Sequence, residues 1–229
     1  MINSVGLVKT TLVDYPGHVA ATVFTHGCPL RCPYCHNPEL VRGPTPEHFL
    51  PIESVLEFLA RRRHLLQGVC LTGGEPLVHQ DLPEVIGVMR GLGYSIKLDT
   101  CGMFPEALAR VLDAGVVDMV ALDIKTAFHH YDRVRGNGRA VREALSVLRD
   151  SGVPYELRTT VVPGIVEPDD LEEIRRALLP SDRYVLTQFR PASTLDAAYA
   201  YKAPYAETEL RAWRDTMVRA GLQCSLRGL

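Results

Sequence analysis

The sequence predicts an α/β fold in which parallel strands alternate with helices, and three observations support this class. Six short apolar segments are typical of buried strands, at residues 19–25, 68–72, 94–98, 116–122, 154–162 and 183–189. Segments with the apolar spacing of amphipathic helices separate these strands. Polar residues repeatedly follow the strand ends, which is where active sites form in parallel α/β folds. The alternation therefore predicts parallel βα units.

A hairpin is predicted before these units. A strand at 5–13 leads through an Asp-Tyr-Pro-Gly turn at 14–17 into the strand at 19–25, because Pro and Gly favour turn conformations. Helices are predicted at 52–64, 81–91, 105–114, 139–150, 168–179 and 207–220. Periodicity alone does not distinguish a partial barrel from a doubly wound sheet.

Composition and charge argue against several kinds of partner. The formal net charge is -2 and no basic run stands out, so we expect no nucleic-acid partner. No uninterrupted apolar segment approaches the length of a membrane span, and the first residues lack a signal-peptide pattern. We therefore expect a cytoplasmic protein without a membrane partner. In that reducing compartment, the six cysteines indicate metal binding or catalysis rather than disulfides.

Three of the cysteines, Cys28, Cys32 and Cys35, lie in one short loop with the spacing CxxxCxxC. Pro29 and Pro33 lack a backbone N–H and disfavour helix in the residue before them, so this segment is predicted to be a loop. Three thiolates are one ligand short of a closed four-cysteine site. A small molecule could bind and react at an open metal position of this kind.

Three other interpretations of these cysteines compete with a reactive metal site. A structural zinc site would be closed by His36 or Cys70, since Cys and His commonly bind zinc. A disulfide framework is disfavoured because nothing else in the chain indicates secretion. A set of merely buried thiols is disfavoured because a proline-rich polar loop is not a core segment. An iron–sulfur cluster is the favoured interpretation.

Further motifs follow three of the predicted strands. The sequence GGEP at 73–76 has two glycines that let the backbone approach a ligand, and a carboxylate that could bind an ammonium group. The sequences DTCG at 99–102 and LDIK at 122–125 place a carboxylate after two successive strands. Carboxylates crowded by anionic groups need a cation beside them. Taken singly, either Asp could instead cap the next helix.

Together these motifs resemble those of the radical S-adenosylmethionine (SAM) enzymes, whose fold is a partial (β/α)₆ barrel. In that family three cysteines, here Cys28, Cys32 and Cys35, hold a [4Fe–4S] cluster whose fourth iron binds SAM. The chain looks closest to the activating proteins of anaerobic ribonucleoside-triphosphate reductase, within the pyruvate formate-lyase activase group. The resemblance extends from Asp14 to about Pro191.

The same resemblance implies which residues bind SAM. Glu75 would bind its amino group, Asp99 its ribose and Lys125 its carboxylate, while Tyr34 would stack on the adenine. A monovalent cation would lie near Asp99, Thr100 and Asp123. The implied SAM-binding residues are Tyr34, His36, Gly73, Gly74, Glu75, Asp99, Thr100, Asp123, Lys125 and Gln188.

The implied reaction is the one-electron reduction of SAM to methionine and a 5′-deoxyadenosyl radical, with flavodoxin or ferredoxin as the reductant. The radical would abstract hydrogen from a glycine Cα of a partner, a glycyl radical enzyme. Asp14 and Arg158 would lie beside the backbone of that glycine. Two alternatives stay open: a radical SAM enzyme acting on a small molecule, and a non-catalytic zinc or iron–sulfur binding protein.

The sequence departs from this family at two places. No cysteine lies between His36 and Gly73, so the additional ferredoxin-like clusters of larger activases are not expected. Gln188 stands where some activases carry a His-rich segment, and it could replace that hydrogen bond to SAM.

The remaining cysteines and the domain boundaries complete the sequence-based prediction. Cys70 and Cys224 are expected to be buried small residues, and Cys101 is expected to line the cleft. We expect a single radical SAM domain over 1–229. Its parts would be an N-terminal hairpin at 1–25, a core barrel at about 19–190, and a C-terminal helix and tail at 191–229.

Overall fold

A computed structural model of the protein describes residues 1–229. Its nine strands are β1 (Ser4–Thr11), β2 (Ala20–Thr25), β3 (Leu50–Pro51), β4 (Gly68–Gly73), β5 (Ser95–Thr100), β6 (Met119–Asp123), β7 (Tyr155–Val161), β8 (Arg183–Gln188) and β9 (Gln223–Arg227). They form one sheet in the order β3-β1-β2-β4-β5-β6-β7-β8-β9.

Most of this sheet is parallel. Strand β2 and strands β4 to β9 all run in the same direction, with registers such as Thr22 opposite Cys70 and Asp123 opposite Arg158. The hairpin partner β1 and the short β3 run antiparallel. Strands β3 and β9 are the two edges and do not pair with each other, so the curved sheet remains open.

Six helices connect the strands: α1 (Ile52–Arg62), α2 (Leu82–Gly91), α3 (Pro105–Asp113), α4 (Gly138–Ser151), α5 (Pro168–Ala177) and α6 (Glu207–Arg219). Each is amphipathic. In α4, for example, Val141, Ala144, Leu145 and Leu148 are buried at the spacing of one helical face. These faces and the sheet contribute to one core cluster of 48 buried residues. None of the helices has both the length and the apolar character needed to cross a membrane.

The predicted α/β class and the predicted strands and helices are confirmed. The segment predicted as a C-terminal helix and tail also contains β9, which makes a seventh parallel strand. Its residues alternate between exposed and half-buried, so no apolar run signals a strand there. Cys224 is therefore half-buried at the sheet edge, in contrast to the expected burial, whereas Cys70 is fully buried.

This topology brings the predicted functional residues to one edge of the sheet. The carboxyl ends of β2, β4, β5 and β6 lie side by side because these strands are parallel neighbours. The cysteine loop follows β2, and the other three strands end at Gly73, Thr100 and Asp123.

A buried carboxylate fixes the connection between α5 and β8. Asp182 is fully buried and accepts hydrogen bonds from the Arg149 guanidinium, from Tyr155 Oη at 2.6 Å and from the Leu179 backbone N–H at 2.8 Å. Burial alone would raise the pKa of Asp182, but these donors hold the pKa below its ordinary value. The ionised carboxylate therefore stabilises the fold.

Replacing Asp182 with Asn should lower the free energy of unfolding near neutral pH by about 3 kcal/mol, because Arg149 loses its carboxylate partner. The folded-state pKa lies below the unfolded value of about 3.9. The contribution of the carboxylate is thus complete above that value and is lost as the pH falls through the folded-state pKa. Urea unfolding at several pH values measures both effects.

The exposed Asp150 on α4 provides the matched control. Asp150→Asn should change the stability by less than about 0.5 kcal/mol. Equal stability of the two variants, or a difference that does not shrink in acid, would contradict the role of Asp182.

Candidate active site

Two adjoining cavities lie at the carboxyl edge of the sheet. The first has a volume of about 430 Å³. The predicted residues that line it are Cys28, Cys32, Tyr34, Cys35, His36, Gly73, Gly74, Asp99, Thr100, Asp123, Lys125 and Gln188. The second, of about 280 Å³, is lined by Asp14 and Arg158, and it shares Asp99 and Asp123 with the first. Glu75 is the one predicted site residue that lines neither cavity.

The cysteine loop is held by backbone hydrogen bonds to three other parts of the chain. The Arg31 N–H donates to Val134, which follows β6, at 2.9 Å. The Leu195 N–H, after β8, donates to the carbonyl of Cys35 at 3.1 Å. The Glu75 N–H donates to the carbonyl of Gly27 at 2.8 Å. The loop is thus fixed on several sides before any ligand binds.

The three thiols lie around one cavity. Cys28, Cys32 and Cys35 all line the first cavity. A zinc ion needs its ligands within about 2.3 Å of one centre. In a [4Fe–4S] cluster each cysteine binds a different iron, so the sulfurs surround a larger volume.

Burial keeps two of these cysteines protonated when no metal is bound. It raises the pKa of Cys32 to about 12 and also raises the pKa of Cys35. A hydrogen bond with the Cys101 thiol lowers the pKa of Cys28. Cys101 is buried and lines the same cavity, as expected. Metal binding would displace the thiol protons.

The two glycines of the GGEP motif let the end of β4 contact the backbone of its neighbours. Gly73 has a φ of +113°, which favours glycine. A Cβ atom on Gly73 would lie 2.5 Å from the backbone of Thr25. A Cβ atom on Gly74 would lie 2.2 Å from the carbonyl oxygen of Gly27, the residue before Cys28. These glycines therefore set the position of the cysteine loop in addition to lining the cavity.

Glu75 has a different role from the expected contact with an ammonium group. Its side chain is fully buried and accepts hydrogen bonds from Leu77 N at 3.1 Å, Thr100 Oγ1 at 2.8 Å and Cys101 N at 2.6 Å. Burial raises the pKa of Glu75 despite these donors. The carboxylate joins the GGEP turn to the end of β5 and has no oxygen facing the cavity.

The carboxylates of Asp99 and Asp123 are joined by one guanidinium. Arg158, from β7, donates from Nη1 to Asp99 at 3.1 Å and from Nε to Asp123 at 2.8 Å. The other oxygen of Asp99 pairs with the Lys97 ammonium, and the other oxygen of Asp123 pairs with Lys125 at 2.9 Å. Each of the four carboxylate oxygens therefore has a cationic partner from the chain.

These pairings fix the charge of each group. Burial would raise the pKa of Asp123, but Arg158 and Lys125 hold that pKa well below its ordinary range. The pKa of Lys125 and that of Arg158 are raised above their ordinary values, because Asp123 outweighs the opposite effect of burial. At physiological pH the edge of the sheet carries paired, fully charged groups.

The residues expected to hold a monovalent cation do not fit one. The carboxylates of Asp99 and Asp123 are already paired with protein cations. The Thr100 hydroxyl donates to Glu75 at 2.8 Å and accepts from Gly102 N at 3.1 Å. These side chains therefore have no unpaired oxygen to offer a cation, and the predicted cation is not shown at this position.

Two buried polar atoms at the first cavity have no partner in the protein. Tyr34 Oη and Gln188 Oε1 make no hydrogen bond, although Gln188 Nε2 donates to the carbonyl of Tyr205 at 2.8 Å. Unpaired buried polar atoms are rare and costly, so a ligand with hydrogen-bonding groups fits this cavity. The Tyr34 and His36 rings both pack edge-on against Phe189.

The second cavity presents one free acceptor and one free donor. Asp14 follows β1, and its Oδ2 accepts from Thr22 Oγ1 at 2.5 Å, which leaves Oδ1 without a protein partner. Arg158 uses Nε and Nη1 in its carboxylate contacts, which leaves Nη2 without one. A peptide backbone that enters this cavity needs an acceptor for its N–H group and a donor for its carbonyl group, and these two atoms provide one of each.

Sequence reasoning missed three charged residues that complete the network. Lys97 pairs with Asp99, and Glu156 accepts from both Nη atoms of Arg227 at 3.1 and 3.0 Å. Lys97 and Glu156 stand within apolar predicted strands, two residues before Asp99 and Arg158, and residues two apart share a face of a strand. That signal was available in the sequence. Arg227 carried no such signal because β9 itself is not predicted.

Comparison with known proteins identifies the family. The family model of the Radical SAM superfamily matches residues 22–178, which include the cysteine loop and strands β4 to β7. The chain belongs to the radical SAM superfamily. This radical SAM protein is 29% identical over 218 residues to a Methanocaldococcus jannaschii protein that carries the name of a glycyl-radical enzyme activating enzyme, covering 90% of this chain and 88% of that one.

Further relatives agree with this membership. The pyruvate formate-lyase-activating enzyme of Clostridium pasteurianum is 31% identical over 172 residues, which are 72% of this chain and 70% of that one. The resemblance to radical SAM activases that the motifs indicated is confirmed. The crystal structure of Streptococcus suis SuiB bound to the precursor peptide SuiA has the same fold, with a TM-score of 0.70 and 13% identity. That match covers 90% of this radical SAM chain and 48% of SuiB.

Replacing Gly74 with Ala should displace the cysteine loop, because the added Cβ overlaps the backbone of Gly27. We expect a loss of about 1–3 kcal/mol in unfolding free energy and reduced iron content after anaerobic reconstitution. Thermal unfolding and iron analysis measure the two effects.

Gly87 on α2 is the matched control, since a Cβ there meets no atom within 4 Å. Gly87→Ala should stabilise the protein by about 0.5–1 kcal/mol and leave the iron content unchanged. Identical behaviour of the two variants would show that the GGEP turn does not position the cysteine loop.

Proposed function

We propose that this protein is a radical SAM activase that generates a glycyl radical on a partner enzyme. The target that we propose is an anaerobic ribonucleoside-triphosphate reductase. The observation that carries the proposal is the junction of the two cavities at Asp99 and Asp123. One cavity has the cysteines, and the other has a donor and an acceptor suited to a polypeptide backbone.

In this proposal, Cys28, Cys32 and Cys35 hold a [4Fe–4S] cluster, and the first cavity holds SAM. When bound, these cofactors supply a one-electron cleavage that produces a strong hydrogen-abstracting group. Lys125 supplies positive charge for the SAM carboxylate, and Gln188 Oε1 accepts a hydrogen bond from the ligand. A reductant of the flavodoxin or ferredoxin type provides the electron. The proposal includes no monovalent cation.

The remaining SAM contacts come from the other residues that line the first cavity. Backbone groups of Gly73 and Gly74 are accessible there, and Asp99 lies at the border with the second cavity. Glu75 acts indirectly, because it holds the turn in place without facing the ligand. The rings of Tyr34 and His36 cover the cavity wall near Phe189 and help to exclude water.

Asp14 and Arg158 bind the target segment in the second cavity. Asp14 Oδ1 accepts a backbone N–H and Arg158 Nη2 donates to a backbone carbonyl, so an extended peptide can satisfy both. Arg158 is held by Asp99 and Asp123, which also line the SAM cavity. The same guanidinium therefore sets the position of the glycine relative to the cofactor. Such positioning is a large part of catalysis in a two-component reaction.

The names of the relatives support the class of target. The Methanocaldococcus jannaschii and Clostridium pasteurianum proteins are named for the activation of glycyl-radical enzymes and of pyruvate formate-lyase. The choice of a ribonucleotide reductase follows from the resemblance of the chain, from Asp14 to about Pro191, to the activating proteins of that reductase.

The test is anaerobic electron paramagnetic resonance of the reconstituted protein mixed with SAM, reductant and the anaerobic ribonucleotide reductase of the same organism. We expect a doublet that collapses to a singlet when the reductase contains α-deuterated glycine. Asp14→Ala removes this acceptor and should lower the radical yield roughly tenfold to a hundredfold, as expected for a lost hydrogen bond to a charged group, while SAM cleavage continues.

Two cysteine variants control this experiment. Cys35→Ser should abolish both SAM cleavage and the radical, whereas Cys224→Ser should retain both. If the radical forms on a different glycyl radical enzyme, that enzyme is the target and the proposed ribonucleotide reductase is not. Deuterium transfer between 5′-deoxyadenosine and a metabolite, without any protein radical, would favour the small-molecule alternative. Stoichiometric zinc without iron would favour the non-catalytic binding protein.

A further inference from the structure

Lys97 is a buried cation that pairs with Asp99, a residue that lines both cavities. Its side chain is 1% exposed, and its ammonium pairs with Asp99 and lies 3.9 Å from Cys70 Sγ. Lysine is almost never fully buried without a partner. Its partners on the neighbouring strands, Cys70 on β4 and Met119 on β6, are buried apolar residues on the same face of the sheet, so an apolar side chain would suit this position equally well. The presence of a positive charge at this buried position therefore requires an explanation.

The explanation is the crowding of carboxylates at this edge of the sheet. Asp99 and Asp123 lie on neighbouring strands, and both line the cavity that would receive the carboxylate of SAM. Arg158 contacts both Asp residues and so contributes one positive charge between them. Without Lys97, one oxygen of Asp99 would lose its cationic partner in a site shielded from water.

We propose that the Lys97 ammonium does the work of a bound monovalent cation at Asp99. The inference rests on the proposed binding of SAM, and it makes that binding independent of Na⁺ and K⁺. The protein cation is permanently present, because it belongs to β5 and lies two residues from its carboxylate partner on the same strand face. A neutral side chain at position 97 would leave Asp99 without this positive charge. A small cation from solution would then bind in its place.

The test compares the wild-type holoprotein with Lys97→Met in chloride salts of Na⁺, K⁺ and tetramethylammonium at equal ionic strength. Tetramethylammonium is too large to enter a site of this kind. One readout is the SAM dissociation constant from anaerobic equilibrium dialysis. The other is the thermal unfolding midpoint without SAM, since an ion that binds the folded state raises it. Lys9→Met, at an exposed position of β1, is the matched control.

For the wild type and Lys9→Met we expect SAM affinities that differ less than about twofold among the salts. For Lys97→Met we expect weak binding in tetramethylammonium and a recovery of at least about fivefold in Na⁺ or K⁺. Its unfolding midpoint should also rise with the small ions, which a purely structural role of Lys97 would not produce. Folding of this variant only in the presence of Na⁺ or K⁺ would be the same result in stronger form.

Two results would overturn the inference. One is a wild-type protein whose unfolding midpoint and SAM affinity both require Na⁺ or K⁺. The other is a folded Lys97→Met protein that responds to no cation. A wild type that binds no SAM in any salt would refute the proposed function, while the unfolding midpoints would still decide the role of Lys97. Lys97→Gln, with a polar neutral side chain, should show the same ion response as Lys97→Met.

Discussion

The ion pairs of Arg158 with Asp99 and Asp123 connect the middle of β7 to the ends of β5 and β6. Two carboxylates on adjacent strands repel each other, and removing a charge from water costs several kcal/mol per ion unless it is paired. The guanidinium offsets both costs in one contact. Because Asp99 and Asp123 line both cavities, a ligand in either cavity lies close to these ion pairs. Lys97 and Lys125 complete the charge balance on either side.

The opposite wall of the first cavity depends on backbone contacts rather than on charge. Gly74 allows the turn after β4 to approach Gly27, and the Glu75 N–H then binds the carbonyl of Gly27. The buried Glu75 carboxylate ties this turn to Thr100 at the end of β5. The cysteine loop is therefore positioned by the same strand ends that carry the charged network. A site fixed by such surrounding contacts is preorganised for its ligand.

The periodicity of apolar residues was sufficient to predict the class, the hairpin and the helices. The cysteine spacing was sufficient to indicate the family, while the metal site itself stays a prediction. The role of Glu75 was not predictable, because a motif does not reveal whether a carboxylate faces a ligand or its own loop. Lys97 was visible as a charge in an apolar strand, but its partner depends on strand register. Arg227 lies on a strand whose alternating burial gives no apolar run, so only the structure reveals its contact with Glu156.

The central claim is that SAM and the target backbone meet at the pairing of Arg158 with Asp99 and Asp123. The most direct measurement is an anaerobic crystal structure of the reconstituted protein with SAM and a peptide that carries the target glycine. We predict SAM beside Cys28 and the other two cysteines, the peptide in the second cavity on Asp14, and Arg158 still bound to both carboxylates. SAM or peptide bound elsewhere, or an Arg158 released from Asp99 and Asp123, would contradict the account.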